Sequence, residues 1–409
     1  MSDTRTETTL ARLTGTRQRR EDLYRHLHAH PELSHEESET ARLVAERLRE
    51  SGFDVHEGIG GTGVVGVLAN GDGPRVLLRA DMDALPVEEA TGLDYASTVP
   101  GVAHACGHDV HVTCLLEDAD LLADAKGAWS GTLVALFQPA EELGDGARTM
   151  VEDGLADVVG QVDVAMGQHV LGFPAGTVAT REGSVLSAAD SMRVTVHGRG
   201  SHGSMPQTAI DPVVLAAMIV LRLQTIVSRE VGPTDSAVVT VGSIHAGSKS
   251  NVIGDSAVLE LNTRTYSEET REHVLAAIRR IVVAECEASR SPREPELELY
   301  DRFATTVNDA ATTATVREAF AAHFGDDAGE LPLQSASEDF SDIPEALEVP
   351  YTYWGLGGVD PERYAAAADA GRLDSDIPAN HSPGFAPVIQ PTLDTGTRAL
   401  VVAALAHLS

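Results

Sequence analysis

Positive charge is what this 409-residue chain has least of. Two lysines, Lys126 and Lys249, stand among 30 basic residues, against 62 acidic ones, for a formal net charge of −32. A chain this negative is repelled by phosphate backbones and anionic lipid, and its arginines form no basic run, which excludes nucleic acid and membrane surfaces as partners. Cysteine is nearly as scarce: Cys106, Cys114 and Cys286 are too few for a disulfide framework and suit a reducing compartment. Long apolar runs are missing as well. The longest, residues 213–227, is cut by Arg222 and Gln224, and the N-terminus has no apolar secretory segment. Internal repeats and low-complexity tracts are also missing. These absences lead us to expect a soluble, cytoplasmic protein.

What is present is ordinary globular composition, 43% hydrophobic and 22% charged. The length exceeds the ~250–300 residues at which single cores stop growing, so two domains are expected. After a polar N-terminal helix reaching Pro31 and an amphipathic helix over residues 37–49, short apolar runs at 63–68, 75–78, 132–137 and 162–167 read as strands. Between them, Val112, Leu115, Leu116, Ala119 and Leu122 predict a helix over 108–125 with one apolar stripe. The alternation predicts an α/β fold. Near residue 188 the pattern changes. A strand alternating through Met192, Val194 and Val196, a helix opened by Asp211 and Pro212, strands at 237–244 and 257–265, a helix over 268–287 and a strand at 296–300 read β-α-β-β-α-β. We therefore expect a catalytic α/β domain over 1–187 and 301–409, interrupted by a ferredoxin-like α+β insert at 188–300.

Ligand-type side chains gather in a few strings. HACGHDVH, residues 104–111, carries imidazoles and a thiol at i, i+2 spacing, so that His104, Cys106 and His108 project to one side of an extended segment, in a mixture that suits zinc or another borderline ion. FQPAEE, 137–142, ends a strand with Glu141 and Glu142, where one carboxylate can hold a metal while its neighbour takes a proton. RADMD, 79–83, and His169 end other strands. Each string alone reads equally well as loop or packing, but together they mark one rim of one sheet, where open α/β sheets place ligands. They hold more donors than one four-coordinate ion needs, so two metals sharing a ligand become the better reading.

The strings LLRADMDALPVEE, HACGHDVH, FQPAEE, GQHV, SEDF and NHSPGF, in this order over almost the whole chain, with HPEL near the start, resemble the hippurate hydrolase and N-acyl-amino-acid amidohydrolase group. These are relatives of aminoacylase among the dinuclear metallopeptidases, and they include indole-acetyl-amino-acid hydrolases. The resemblance implies two divalent ions per subunit (zinc, manganese, cobalt or nickel), held by Cys106, His108, Glu142, His169 and His381, with Cys106 shared. It implies Glu141 as general base and Asp83 as the carboxylate that steadies a ligand. It further implies His202, Asn251 and Arg264 as substrate-binding residues on the insert, which acts as a lid and pairs two copies into a homodimer. The chain departs from the group's pattern at Ser201, Gln207, Leu261 and Asn262, all in the insert, which bears on the substrate's side chain rather than on hydrolysis.

The reaction so implied is hydrolysis of the amide of an N-acyl (acetyl, benzoyl or similar) amino acid to a carboxylic acid and a free amino acid. An exopeptidase or dipeptidase using the same site is the alternative. One literal match points elsewhere: GRGSHG, 198–203, spells the dinucleotide fingerprint G-x-G-x-x-G. That motif must open a helix at once, whereas Pro206 and a further loop intervene before Asp211. The crowded His26, His28, His30 and His35 read as surface or packing residues.

Overall fold

The computed structural model describes residues 4–409. Residues up to Val185, with Val307–Leu333 and Asp339–Ser409, form one compact unit; Leu186–Thr306 with Gln334–Glu338 form the other.

The first unit is built on a mixed eight-stranded sheet in the order Asp54–Ile59, Gly63–Asn70, Gly131–Gln138, Arg75–Asp81, Val164–Pro174, Tyr351–Val359, Val178–Thr180, Ala328–Glu330. The four strands from Gly131–Gln138 to Tyr351–Val359 run parallel. Every residue of Gly131–Gln138 is buried, as expected of a parallel strand covered on both faces. Asp81 is level with Gln138, and Arg79 with Gly167, so the chain leaves the sheet toward Asp83 and toward Glu141 at the same edge that carries His169.

Three expectations need correction. The N-terminal helix is two, Thr4–Leu10 and Arg17–Ala29, separated by a turn in which Gly15 N–H donates to Arg12. The strand expected to stop at 167 runs from Val164 to Pro174, because it pairs with Tyr351–Val359 over that length, a partnership with no local signal. The helix His108–Asp124 has no wet face before its last turn. It packs against the sheet and the helices Arg17–Ala29, Ser38–Glu50 and Ile389–His407, so polar residues as well as the apolar stripe are buried. Of these, Glu117 meets Arg20, whose side chain is wholly buried.

The second unit is a four-stranded antiparallel sheet, ordered Ala237–Ala246, Ser256–Thr265, Ala188–His197, Glu296–Phe303, with helices Pro212–Thr225 and Glu268–Ala288. This is the ferredoxin-like order. Asp211 caps the first helix by accepting from Val213 and Val214 N–H, and Ser267 caps the second at Thr270. Leu215, Ala216, Ile219, Leu223 and Ile226 meet Val274, Ile278, Ile281 and Val282 in the core of this unit. The G-x-G-x-x-G string opens no helix: Ser201–His202 is a short strand paired with Val252–Ile253.

Candidate functional site

The parallel edge of the first unit gathers the ligand-type side chains. Cys106 and His108 reach one place through Gly107, which adopts φ +90°, and a Cβ there would lie 2.4 Å from Val170 Cγ1. Glu141 and Glu142 follow Ala140, whose φ of +49° turns the chain off its strand. His381, at φ +68°, is held by its N–H donating to Ala105 O at 2.7 Å. Two triads result. The ligand atoms of Cys106, His108 and His169 lie within 4.8 Å of one another, and so do those of Cys106, Glu142 and His381. A cysteine offers one sulfur, so the same Sγ belongs to both. His104, by contrast, joins neither triad; it is buried, neither of its nitrogens has a partner, and burial holds it neutral with a pKa of about 4.

Hydrogen bonds leave the inward nitrogens of the imidazoles available. His108 Nδ1 donates to Asp83 O at 2.9 Å and approaches Asp83 Oδ1 at 3.1 Å, which leaves its Nε2 facing the cluster. His169 Nδ1 donates to Val170 O, with Nε2 3.4 Å from Cys106 Sγ. His108 Nε2 and Glu142 Oε1 are buried without a hydrogen-bond partner and lie 3.9 Å apart. That gap is too long for a hydrogen bond. These orphaned donors fit divalent cations. Glu141, also buried, has Oε2 3.8 Å from His108 Nε2.

Electrostatics point the same way. Burial alone would lower the His108 pKa, yet Asp81, Cys106 and Asp83 raise it well above normal; hydrogen bonds to Cys106 and Glu142 raise His381 to about 10. Burial and Glu142 push the Cys106 thiol up, while burial and His111 push His169 well below its ordinary value.

Several partners carried no sequence signal. Ser34 Oγ donates to Asp83 Oδ2 at 2.7 Å, and the same oxygen accepts from Glu142 N–H at 3.0 Å. His111 donates through Nδ1 to Asp81 at 2.5 Å and accepts Val170 N–H at Nε2, lying edge-on to His169. Arg79, fully buried, meets Asp81 and Asp339, which places the aspartate of SEDF behind the site. His28, read as surface or packing, is buried with Nδ1 2.6 Å from Asp109 and Nε2 3.3 Å from Glu89. Burial alone would lower its pKa, but the two carboxylates raise it to about 10. Its folded value exceeds the ordinary 6.5, so this stabilisation is fully present below pH 6.5 and is lost as pH rises through about 10. His28→Ala removes the cation paired with the buried Asp109 and is expected to cost about 3–5 kcal/mol in urea unfolding at pH 7. Wild-type protein should then lose more stability between pH 7 and 10 than the variant does.

In the second unit, His202 and Asn251 are exposed and adjacent: His202 pairs with Val252, and Gly203 N–H donates to Asn251 O at 2.8 Å. Arg264, half-buried on the strand Ser256–Thr265, donates to Ser337 Oγ, and burial lowers its pKa.

Comparison with known proteins gives a consistent set. The sequence pattern of Peptidase family M20/M25/M40 matches residues 77–379. The chain is 39% identical over 337 residues to the N-acetyl-L-cysteine deacetylase of Bacillus subtilis, covering 82% of this chain and 79% of that one. It is 38% identical over 340 residues to the hippurate hydrolase of Campylobacter jejuni (81% and 87%) and 39% identical over 338 to thermostable carboxypeptidase 1 of Saccharolobus solfataricus (81% and 84%). Among solved structures, a Bacillus subtilis dinuclear metal binding peptidase of the M20 family superposes with a TM-score of 0.78 at 28% identity, over 96% of this chain and 98% of that one.

Proposed function

The chain belongs to the Peptidase M20/M25/M40 family and is a hydrolase of amide bonds; on that footing we propose that it cleaves N-acyl amino acids to a carboxylic acid and a free amino acid at a site for two divalent ions. The observation that carries this reading is the single Cys106 sulfur common to two ligand triads. Cys106, His108 and His169 would hold one ion and Cys106, Glu142 and His381 the other; zinc, manganese, cobalt and nickel would all suit these donors. Such ions, when bound, polarise a carbonyl and lower the pKa of water from about 15.7 toward ~7.

The protein's own groups do the rest. Glu141 takes the proton of the attacking water and hands it to the leaving amine. Asp83, bonded to both His108 and the Glu142 amide, keeps these two ligands in register. His202 polarises the substrate carbonyl, Asn251 and Arg264 bind the substrate carboxylate or the oxyanion, and the Arg264 guanidinium supplies positive charge against the field of an acidic chain. The carboxypeptidase relative supports a second reading, with a peptide in place of the acyl amino acid. Hippurate, N-acetyl amino acids and dipeptides compared side by side on metal-loaded enzyme decide between them. We expect kcat/KM for the acyl compounds to exceed that for dipeptides by at least about tenfold, and the reverse order would replace this reading by the second.

The expected homodimer is also proposed here. Strand Ala237–Ala246 is an edge of its sheet and exposes Val238 and Ile244, while the helix Pro212–Thr225 buries one side and exposes Val213, Val214, Met218 and Leu221 on another. By length and composition alone, Pro212–Glu230 is apolar enough to cross a membrane. Because its other face is occupied by the core of the unit, a second copy is the better cover for the exposed one. Light scattering should give twice 43.1 kDa, and Leu221→Arg should give the monomer. We propose a cytoplasmic location on the same composition.

A further inference from the structure

The segment between the helices Arg17–Ala29 and Ser38–Glu50 touches the candidate site from behind, and one buried side chain in it does more than pack. Glu37 is 0% exposed. Its Oε1 accepts two backbone N–H groups, from His35 at 3.0 Å and from Ala140 at 2.9 Å, and its Oε2 accepts from Thr62 Oγ1 at 2.6 Å. Both residues held by Oε1 are non-glycine residues with left-handed backbone, His35 at φ +65° and Ala140 at φ +49°. Such conformations persist only where the surroundings over-determine them.

Each of the two strained residues adjoins a working part of the site. Ser34, next to His35, donates to Asp83 Oδ2; Glu141 and Glu142 follow Ala140, and the Glu142 N–H donates to that same Asp83 oxygen. The bonds close a ring that runs from Glu37 through Ala140, Glu141 and Glu142 to Asp83, and back through Ser34 and His35. Glu37 is the one member whose side chain grips the backbone on both arms.

We propose that Glu37 is a positioning residue: by holding Ala140 in its left-handed turn it sets the placement of the Glu141 carboxylate and of Glu142 relative to Cys106 and His108. The inference rests on the reading of Glu141 as the base. Displacements near 1 Å from remote changes can cost about 10²-fold in rate, and lost support of a metal ligand about 10–100-fold in affinity.

The test uses the full chain, metal-loaded, with kcat and KM measured separately on an N-acetyl amino acid and zinc affinity measured by competition with a chromophoric chelator. Glu37→Ala is expected to lower kcat about 10²-fold with KM within about twofold, and to weaken zinc about tenfold. Glu37→Gln should return kcat to within several-fold of wild type, because its carbonyl oxygen still accepts both N–H groups while its amide donates to Thr62. Glu37→Asp keeps the charge but falls one methylene short of both arms, and should lose at least about tenfold in kcat; it serves if the alanine variant fails to fold. Wild-type kcat and zinc affinity in a folded Glu37→Ala or Glu37→Asp protein would overturn the proposal. Glu141→Gln run alongside separates the failures: its inactivity beside fully active Glu37 variants overturns positioning alone, and its full activity overturns both readings.

Discussion

Glu141→Gln protein is expected to bind its metals normally yet lose about 10²–10⁴-fold in kcat, with KM little changed. Glutamine fills the same buried space, so the neighbouring Glu142 and His108 need not move, but it cannot accept a proton. At 25 °C a loss of 10³ corresponds to about 4 kcal/mol of transition-state stabilisation, more than repacking at one conservative substitution supplies. The split between rate and metal content makes the result specific. Glu142→Gln, one residue along, should instead release metal, because Glu142 Oε1 is the orphaned buried oxygen and its Oε2 lies 3.3 Å from His381. Wild-type turnover of an N-acetyl amino acid by metal-replete Glu141→Gln enzyme would place the base elsewhere.

Cys106→Ala is expected to abolish binding of both ions together. Its Sγ is the atom common to the two triads, so removing it leaves each with two donors, and affinity at both positions should fall by more than the ~10–100-fold typical of losing mere support for a ligand. His381→Ala leaves Cys106, His108 and His169 intact and should therefore keep one ion of the two. Metal content after dialysis distinguishes the outcomes, and equal stoichiometry in the two variants would show that the sulfur is not shared. Binding should also weaken as pH falls, since His108 and His381 are held above their ordinary range and the Cys106 thiol is raised. Each must lose its proton to become a ligand. Calorimetry in buffers of different ionisation heat should accordingly show proton release on metal addition.

How much of this was legible in the chain depended on sequence distance. Cys106 and His108 stand one residue apart across a glycine, and Glu141 and Glu142 are adjacent, so the chemistry is concentrated where short strings leave the sheet. The partners that orient them are not: Ser34 reaches Asp83 across 49 residues, Glu37 reaches Ala140 across 103, and Arg79 meets Asp339 across 260. No periodicity or spacing announces such pairs. His28 shows the limit from the other side, since a histidine in a crowded polar run reads equally as surface or packing until the fold buries it between two carboxylates.

The chain by itself determined the α/β class and the ferredoxin-like insert, because apolar periodicity and caps such as Asp211 act over a few residues, while the set of candidate ligands followed from the resemblance that its short strings carry. Only the tertiary structure decided that Ser34 and the Glu142 amide meet on one Asp83 oxygen, that the helix behind the site is buried on every side up to its last turn, and that a single glutamate holds two left-handed residues beside the base. Those features exist only when strands distant in sequence come level at one sheet edge, where burial removes water and leaves each polar atom to find its partner within the protein.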